Sequence, residues 1–272
     1  MPMFVIRRII LQALPVAICC VACVLSFAQS GDQDSNLRSS DMSTFVTPVV
    51  VEFPLRGEWM APNTPGRQIP SHGTDQLAET YAYDFLQVDW SRTGHPFYDT
   101  SVLEYLFHGV PLSRCYGWGK EVYAPCDGRI IQARDGYPER QTVNLFSDLR
   151  VAFNNARTFD LRTNDLQDVA GNYVIMSCDN TGIYAAFAHL QQGTIAVSAG
   201  SVINKGQIIG KIGHSGNSTA PHLHFQLMDS PDMNTARGVP CAFERYEVLQ
   251  ENQWQLVTNG IPSDKDKIRF NK

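Results

Sequence analysis

The sequence predicts a mainly β protein, an antiparallel sandwich or barrel-like pair of sheets with short helical inserts. Short runs of β-branched and aromatic residues recur along the chain, which is typical of strands. Clusters of Gly, Pro, Asn and Asp separate these runs at intervals of roughly a dozen residues, as in all-β folds. Strands without regular intervening helices favour sheets packed on sheets over an alternating α/β arrangement.

The first half of the chain provides three of these elements. Residues 48–53 are rich in valine and begin with a proline, which is tolerated at the first position of a strand. Residues 80–86 alternate aromatic with smaller side chains and place Asp84 inside a predicted strand. An Asp-Gly turn within residues 121–133 predicts a β-hairpin.

The second half repeats the pattern with tighter turns. Residues 172–177 and 183–189 are predicted to pair across a turn that contains Asp, Asn and Gly. A short strand is expected at 195–197, and glycines mark the corners of residues 200–213. The run His-Leu-His-Phe-Gln-Leu at 222–227 follows a proline and predicts another strand.

Two polar stretches interrupt the strand pattern and are interpreted as inserts. Residues 87–116 contain apolar side chains at helical spacing, and Asp99 is expected to cap a short helix there. Residues 138–169 are polar without a clear period, although a helix is expected near 145–153. The inserts belong to a folded domain that is predicted to span residues 46–250.

The N-terminal residues carry the pattern of a signal peptide. Arg7 and Arg8 precede an uncharged apolar run at 13–27, and a small-x-small motif ends at Ala28. We therefore expect residues 1–28 to be removed and the protein to be exported, either periplasmic or secreted. Anchoring by an uncleaved N-terminus is the alternative, although the run is shorter than the roughly 20 residues of a membrane span. No transmembrane segment is predicted in the mature chain.

The rest of the chain divides into a polar tether at 29–45, the domain at 46–250 and a C-terminal tail at 251–272. Without residues 1–28 the chain has 20 basic and 27 acidic residues, a net charge near −7. This charge argues against a nucleic-acid partner. The sequence gives no indication of oligomeric state.

Four cysteines remain after removal of the signal peptide: Cys115, Cys126, Cys178 and Cys241. An even number in an exported chain permits disulfides, and four cysteines allow three pairings. The sequence does not choose between them. Because no Cys-x-x-Cys motif remains, a structural zinc site built on thiolates is not expected.

The His-x-His motif formed by His222 and His224 is the main chemical feature of the sequence. Side chains alternate on a strand, so the two histidines would share one face, with their Cβ atoms roughly 6.5–7 Å apart. Leu223 and Phe225 would then enter the core. One imidazole can bind a metal ion while the other reaches a water molecule beside it.

Further motifs occur in a fixed order along the chain. They are Ser71-His72 with Tyr81-Ala82-Tyr83-Asp84-Phe85, Gly119–Pro125 with Asp127-Gly128, Ala188-His189-Leu190, and the block from Val202 to Leu227. Together they resemble the lysostaphin and LytM type of zinc metallopeptidases. The similarity covers roughly residues 50–90 and 119–250.

The resemblance implies that His72, Asp84 and His224 bind a zinc ion. Two imidazoles and a carboxylate suit Zn²⁺ and leave a position open for water. The resemblance also implies that His222 is a general base or proton shuttle. His189 would hydrogen-bond the water or the developing oxyanion.

Two departures from the family pattern affect this assignment. Eleven residues separate His72 from Asp84, whereas a tight His-x-x-x-Asp is usual, and Asp75 is the competing acid. His214 stands where Asn is common, so an additional imidazole is expected near the cleft. His95 and His108 are interpreted as ordinary surface or packing histidines.

The resemblance further implies a duplicated hybrid motif fold and a function as a zinc endopeptidase that cuts amide bonds in peptidoglycan peptides. One alternative is an inactive family member that binds the cell wall as a regulator. Another is a sugar-transport phosphoryl carrier of related fold, where a histidine pair accepts phosphate. Retention of all five polar positions argues against the regulator, and the signal peptide argues against the cytoplasmic carrier.

Overall fold

The computed structural model describes residues 47–158 and 165–271. The predicted signal peptide at 1–28 and tether at 29–45 lie outside these residues. The three α-helices in the described part of the chain are α1 (Val102–Phe107), α2 (Leu145–Thr158) and α3 (Gln167–Ala170). Short 3₁₀ segments occur at Gln76–Tyr81 and Leu112–Arg114.

The strands are short, with loops of very different lengths between them. They are β1 (Val49–Val51), β2 (Gly57–Asn63), β3 (Tyr83–Leu86), β4 (Val110–Pro111), β5 (Glu121–Tyr123), β6 (Gly128–Arg134), β7 (Thr142–Val143), β8 (Asn172–Cys178), β9 (Ile183–Leu190), β10 (Val202–Ile203), β11 (Ile208–Lys211), β12 (Leu223–Met228), β13 (Gly238–Val239), β14 (Cys241–Gln250), β15 (Gln253–Gly260) and β16 (Ile268–Phe270).

Most strands join one large sheet, which confirms the prediction of a mainly β fold. Its order is β1-β14-β16-β2-β3-β12-β9-β8-β6-β10, with β13 beside β12 and β15 beside β14. Two small pairs, β5 with β11 and β4 with β7, lie outside it. The path through the described strands is open rather than closed. The sheet is also mixed, because β1 runs parallel to β14.

The described part of residues 251–272 contributes two strands to the sheet, contrary to the expected tail. β15 pairs along most of β14, and β16 lies between β14 and β2. Ile268 is fully buried and Phe270 nearly so. A strand of three residues is too short for an alternating pattern to be recognised, so its place depends on the partners that it meets.

Several local expectations were also wrong. The Asp-Gly turn does not close a hairpin, because β5 pairs with β11 while β6 pairs with β8 and β10. Residues 195–197 form no strand. Helix α1 is capped by Ser101, whose Oγ accepts a hydrogen bond from the Glu104 amide at 3.2 Å, rather than by Asp99. The predicted β8–β9 hairpin and the helix near 145–153 are present.

The main core lies against one face of the central strands. Phe53 contacts Phe85 and Phe243 edge-on, with ring centroids 4.8 and 4.9 Å apart, a favourable aromatic geometry. Leu223 and Phe225 of β12 are fully buried in the same cluster, as their strand positions predict. The opposite faces of β3 and β12 therefore remain available for polar side chains.

One disulfide joins Cys126 to Cys178 and ties the start of β6 to the end of β8. Cys115 and Cys241 are free and buried. Burial raises the pKa of the Cys115 thiol to about 12, so this thiol stays protonated at neutral pH. Across the described residues, no helix has both the length and the apolar character needed to span a membrane.

Candidate metal centre

Strand pairing brings the predicted site residues together. β3 and β12 are antiparallel neighbours in which Asp84 lies directly opposite His224. The other edge of β12 pairs with β9, which carries His189 next to its last residue. His72 comes from the loop between β2 and β3. Residues that are distant in sequence therefore meet on the polar face of three adjacent strands.

Three side chains converge closely enough to bind one metal ion. His72 Nε2 lies 3.0 Å from Asp84 Oδ2, and His224 Nδ1 lies 3.0 Å from Asp84 Oδ1. One ligand atom from each residue lies within 4.8 Å of the others. All three side chains are at most 9% exposed. Burial of two imidazoles around one carboxylate is typical of a metal site.

Hydrogen bonds determine which nitrogen of His224 faces Asp84. The Gln226 amide nitrogen donates to the Leu77 carbonyl at 2.7 Å, which turns Gln226 Oε1 towards His224. His224 Nε2 then donates its proton to this oxygen at 2.8 Å. His224 Nδ1 consequently faces Asp84 Oδ1, 3.0 Å away.

His72 is oriented by a similar relay. Ser71 Oγ donates to the Glu79 carbonyl at 3.1 Å, so His72 Nδ1 donates to Ser71 Oγ at 3.0 Å. His72 Nε2 is left buried without a hydrogen bond of good geometry. A buried polar nitrogen of this kind is costly unless it has a partner, and here it faces the carboxylate of Asp84 at 3.0 Å.

The charges of the cluster are strongly coupled. Burial acts to raise the pKa of Asp84, but His72 and His222, together with the hydrogen bonds, place this pKa well below its usual value. Burial alone would lower the pKa of His224, whereas Asp84 raises it to about 9. Asn63 also donates to Asp84 Oδ2 at 2.7 Å. The carboxylate of Asp84 is therefore ionised and is the negative centre of the group.

The two remaining predicted histidines flank this group. His222 Nδ1 donates to the Ala220 carbonyl at 2.7 Å, and His222 Nε2 lies 3.4 Å from Asp84 Oδ1. His189 Nδ1 donates to the Ser215 carbonyl at 3.0 Å. The two rings are 4.7 Å apart between centroids. Each ring therefore has its Nδ1 committed to a loop carbonyl.

The backbone of His189 is unusual. Its φ of 61° lies in the left-handed region, which few residues other than glycine adopt. Such conformations cost of order 1–3 kcal/mol and persist where the surroundings enforce them. Burial, followed by the neighbouring His222 and His224, places the pKa of His189 well below its usual value. His189 is consequently neutral at physiological pH.

The other candidates lie apart from this cluster. Asp75 is exposed at the start of the 3₁₀ segment and is not among the three converging side chains. His214 is completely buried and contacts Ser218. The His95 ring packs 4.9 Å from Trp90, and His108 is exposed at the end of α1.

Sequence reasoning missed the residues that orient the cluster. Gln226 had a visible signal, because it lies two positions after His224 and shares its strand face. Ser71 was recognised only as the neighbour of His72 in a motif, and Asn63 had no signal. Asn63 reaches Asp84 only because a register shift in the β2–β3 pair places it opposite that residue.

The fold and site define a mainly β protein with a buried His-Asp-His group that is able to bind a metal ion. Residues 152–236 match the model of Peptidase family M23. This match includes His189, His222 and His224. Over these residues the chain is similar to Peptidase family M23, in agreement with the resemblance found in its motifs.

Curated relatives match over limited regions. Endolysin 2638A of Staphylococcus phage 2638A is 27% identical over 150 residues, covering 44% of this chain and 30% of that protein. The peptidoglycan DD-endopeptidase ShyC of Vibrio cholerae is 30% identical over 110 residues, 40% of this chain and 19% of that protein. Lysostaphin of Staphylococcus simulans is 39% identical over 66 residues, which are 24% of this chain and 13% of that protein. The matches thus span less than a third of each relative.

Two solved peptidase structures align with part of the chain at low sequence identity. The catalytic domain of lysostaphin from Staphylococcus simulans aligns with 20% identity, a TM-score of 0.31, and coverage of 69% of this chain and 86% of that chain. A zinc-containing peptidase from Vibrio cholerae aligns with 20% identity, a TM-score of 0.31, and coverage of 71% and 38%.

Proposed function

We propose that the protein is a zinc-dependent endopeptidase that hydrolyses amide bonds in peptidoglycan peptides. One observation carries the proposal, the buried convergence of His72 Nε2, His224 Nδ1 and the ionised carboxylate of Asp84. One nitrogen of each imidazole faces the carboxylate, and the opposite ring nitrogens are committed to hydrogen bonds.

The residues present fit a zinc ion. Two histidine nitrogens and one carboxylate form the ligand set of many catalytic zinc sites, with a position left for water. The orphaned Nε2 of His72 has no other partner of good geometry among the described residues. When bound, zinc supplies Lewis-acid activation of water and of the scissile carbonyl.

His222 is the proposed general base. Its Nδ1 donates to the Ala220 carbonyl at 2.7 Å, and its Nε2 faces Asp84. A proton taken by Nε2 from the attacking water can later be delivered to the leaving amine. Proton transfer of this kind contributes about 10²–10⁴-fold to the rate.

His189 is proposed to orient the attacking water. Because its Nδ1 donates to the Ser215 carbonyl and the ring is neutral, its Nε2 accepts rather than donates a hydrogen bond. This favours contact with the water over contact with a developing oxyanion. The left-handed backbone of His189 directs the ring towards His222, 4.7 Å away.

The compartment and the substrate class support one another. Two similar proteins of Vibrio cholerae, ShyC and ShyA, are named as peptidoglycan DD-endopeptidases. Peptidoglycan lies outside the cytoplasm. The Cys126–Cys178 disulfide is typical of an oxidising compartment. We therefore propose export and removal of residues 1–28. A mature N-terminus still at Met1 in cytoplasmic protein would contradict this.

The test combines metal analysis with substrate digestion. Purified mature protein and its His224→Ala variant would be assayed for zinc and incubated with purified peptidoglycan, and new amino groups would be identified by mass spectrometry. We expect one zinc ion and new amino groups only with the unaltered protein. Metal-free protein that binds peptidoglycan without cutting it would contradict the proposal and favour the regulator.

A further inference from the structure

The glycine-rich loop at 213–221 lies between the two proposed catalytic histidines and the insert at 138–169. Two of its carbonyls accept hydrogen bonds from these histidines: Ser215 from His189 at 3.0 Å and Ala220 from His222 at 2.7 Å. The position of each ring therefore depends on the conformation of this loop.

Arg140 of the insert binds the intervening carbonyls of the same loop. Its Nη1 donates to the Gly216 carbonyl at 2.9 Å, and its Nη2 donates to the Ser218 carbonyl. The two carbonyls that contact the guanidinium thus lie between the two that contact the histidines. A planar guanidinium can bind two acceptors in fixed directions, so Arg140 fixes the distance between these two carbonyls.

Arg140 is itself held in place by Asp148. The Arg140 Nε lies 3.0 Å from Asp148 Oδ1, and the carboxylate is 1% exposed. The Asn144 amide donates to the other oxygen at 2.8 Å. A buried carboxylate of this kind must remain paired, so Asp148 on α2 anchors the guanidinium against the loop.

A directed series of hydrogen bonds connects Arg140 to His222. Arg140 Nη2 donates to His214 Nε2 at 3.2 Å, so His214 carries its proton on Nδ1 and donates to Ser218 Oγ at 3.1 Å. Ser218 Oγ then donates to the Ala220 carbonyl at 2.7 Å. This is the carbonyl that accepts the Nδ1 proton of His222.

Asp148 Oδ1 lies 3.6 Å from His214 Nε2, but the arrangement of Asp148, His214 and Ser218 is not a second nucleophilic site. His214 is completely buried and Ser218 is 1% exposed, so no substrate carbonyl can approach the hydroxyl. Ser218 Oγ also donates its hydrogen bond to the Ala220 carbonyl within the loop. The three residues therefore support the loop rather than perform chemistry of their own.

Close packing restricts the loop from the other side as well. Gly216 has a φ of 66°, and a Cβ there would lie 2.4 Å from the Gly171 nitrogen and the Val169 carbonyl. The loop is consequently confined between the insert and the strands that carry the proposed catalytic histidines.

We propose that Arg140 is a positioning residue, which holds the glycine-rich loop so that His222 keeps its proton on Nδ1 and presents Nε2 to the reaction. This inference rests on the proposed function for its effect on turnover. The insert at 138–169 would then be a support for the active site rather than a cover over it.

The experiment compares Arg140→Lys and Arg140→Met with Arg150→Lys, an exposed position on α2. Lysine keeps the positive charge but cannot bind two carbonyls in a fixed geometry. Each zinc-loaded protein would be assayed for zinc content, kcat and KM on peptidoglycan peptides. Long-range ¹H–¹⁵N spectra of ¹⁵N-histidine-labelled protein would identify the protonated nitrogen of His222.

For Arg140→Lys we expect unchanged zinc content, a kcat lower by about 10- to 100-fold because the base is misplaced, and a smaller change in KM. His222 should lose its exclusive Nδ1–H form. Arg140→Met should show the larger loss, and Arg150→Lys should match the unaltered protein. If Arg140→Met does not fold, the role of Arg140 is judged from Arg140→Lys alone.

Two outcomes would overturn the inference. One is a kcat for Arg140→Lys within twofold of Arg150→Lys. The other is an unchanged Nδ1–H signal of His222 in every variant. Because the spectra do not depend on catalysis, an inactive unaltered protein would contradict the proposed function and still leave the role of Arg140 open to this measurement.

Discussion

The two faces of strand β12 are nearly equally buried but differ in what they contact. The apolar face packs into the main core with side chains that are fully buried: Leu223, Phe225 and Leu227. The polar face lies within a network of hydrogen bonds and ion pairs around Asp84: His222, His224 and Gln226. Both faces come from a single run of alternating residues.

This difference shows that burial has different consequences on the two faces. An apolar core accepts replacements of similar volume, because dispersion and hydrophobic contacts have little directionality. A buried polar group depends on one partner atom, and losing that partner costs its full desolvation penalty. Substitutions on the two faces should therefore affect different observables, zinc and turnover on one side and stability on the other.

The largest effect is expected from the acid opposite β12. Asp84→Asn removes the ionised carboxylate between two imidazoles. Loss of a residue that only hydrogen-bonds a ligand weakens metal binding by about 10–100-fold, and the loss of Asp84 should weaken zinc binding by more than this. Asp75→Asn is the matched control, since Asp75 is exposed. Zinc titration of both variants checks this. If zinc binding is weak in Asp75→Asn and normal in Asp84→Asn, the carboxylate ligand is Asp75 rather than Asp84.

The next largest effect concerns His222, the proposed general base. His222→Ala should retain zinc but lower kcat by about 10²–10⁴-fold, because the proton acceptor is removed while the three ligands stay. Metal analysis and turnover on peptidoglycan peptides measure the two properties separately. Loss of zinc together with activity would mean that His222 is a ligand.

A smaller effect is expected for Gln226, which fixes the tautomer of His224. Gln226→Leu removes the acceptor of the Nε2 proton and should weaken zinc affinity by about 10–100-fold. Gln226→Glu keeps an acceptor oxygen and should bind zinc more tightly than Gln226→Leu. If both variants bind zinc as tightly as the unaltered protein, Gln226 has no influence on zinc affinity.

The smallest effect lies on the apolar face. Leu227→Met conserves volume at a fully buried position and should lower the free energy of unfolding by less than about 1.5 kcal/mol. Zinc content and kcat should not change. Denaturant unfolding beside a metal assay tests this, and a loss of zinc without a loss of stability would show that the two faces are not independent.

The sequence was sufficient to predict both faces of β12, because alternation within one strand is a local property. It also predicted the β8–β9 hairpin from its turn residues. The positions of the five candidate site residues follow from this pattern and from the family resemblance. Their catalytic and ligand roles remain predictions.

Long-range pairing explains what could not be predicted. The Asp-Gly turn indicates a change of direction, but the partner of β5 is β11, more than 80 residues later in the sequence. Asn63 and Arg140 contact the site only through tertiary structure. Ser101 caps α1 in place of Asp99 because helix boundaries shift by a residue or two from sequence estimates.

The most direct test of the metal centre is anomalous diffraction at the zinc edge from crystals of the zinc-loaded mature protein. We expect a single peak among His72 Nε2, Asp84 and His224 Nδ1, with ligand distances of about 2.0–2.2 Å. His222 and His189 should lie outside the coordination sphere. A peak bound by Asp75, or the absence of any peak between His72 and His224, would contradict the account.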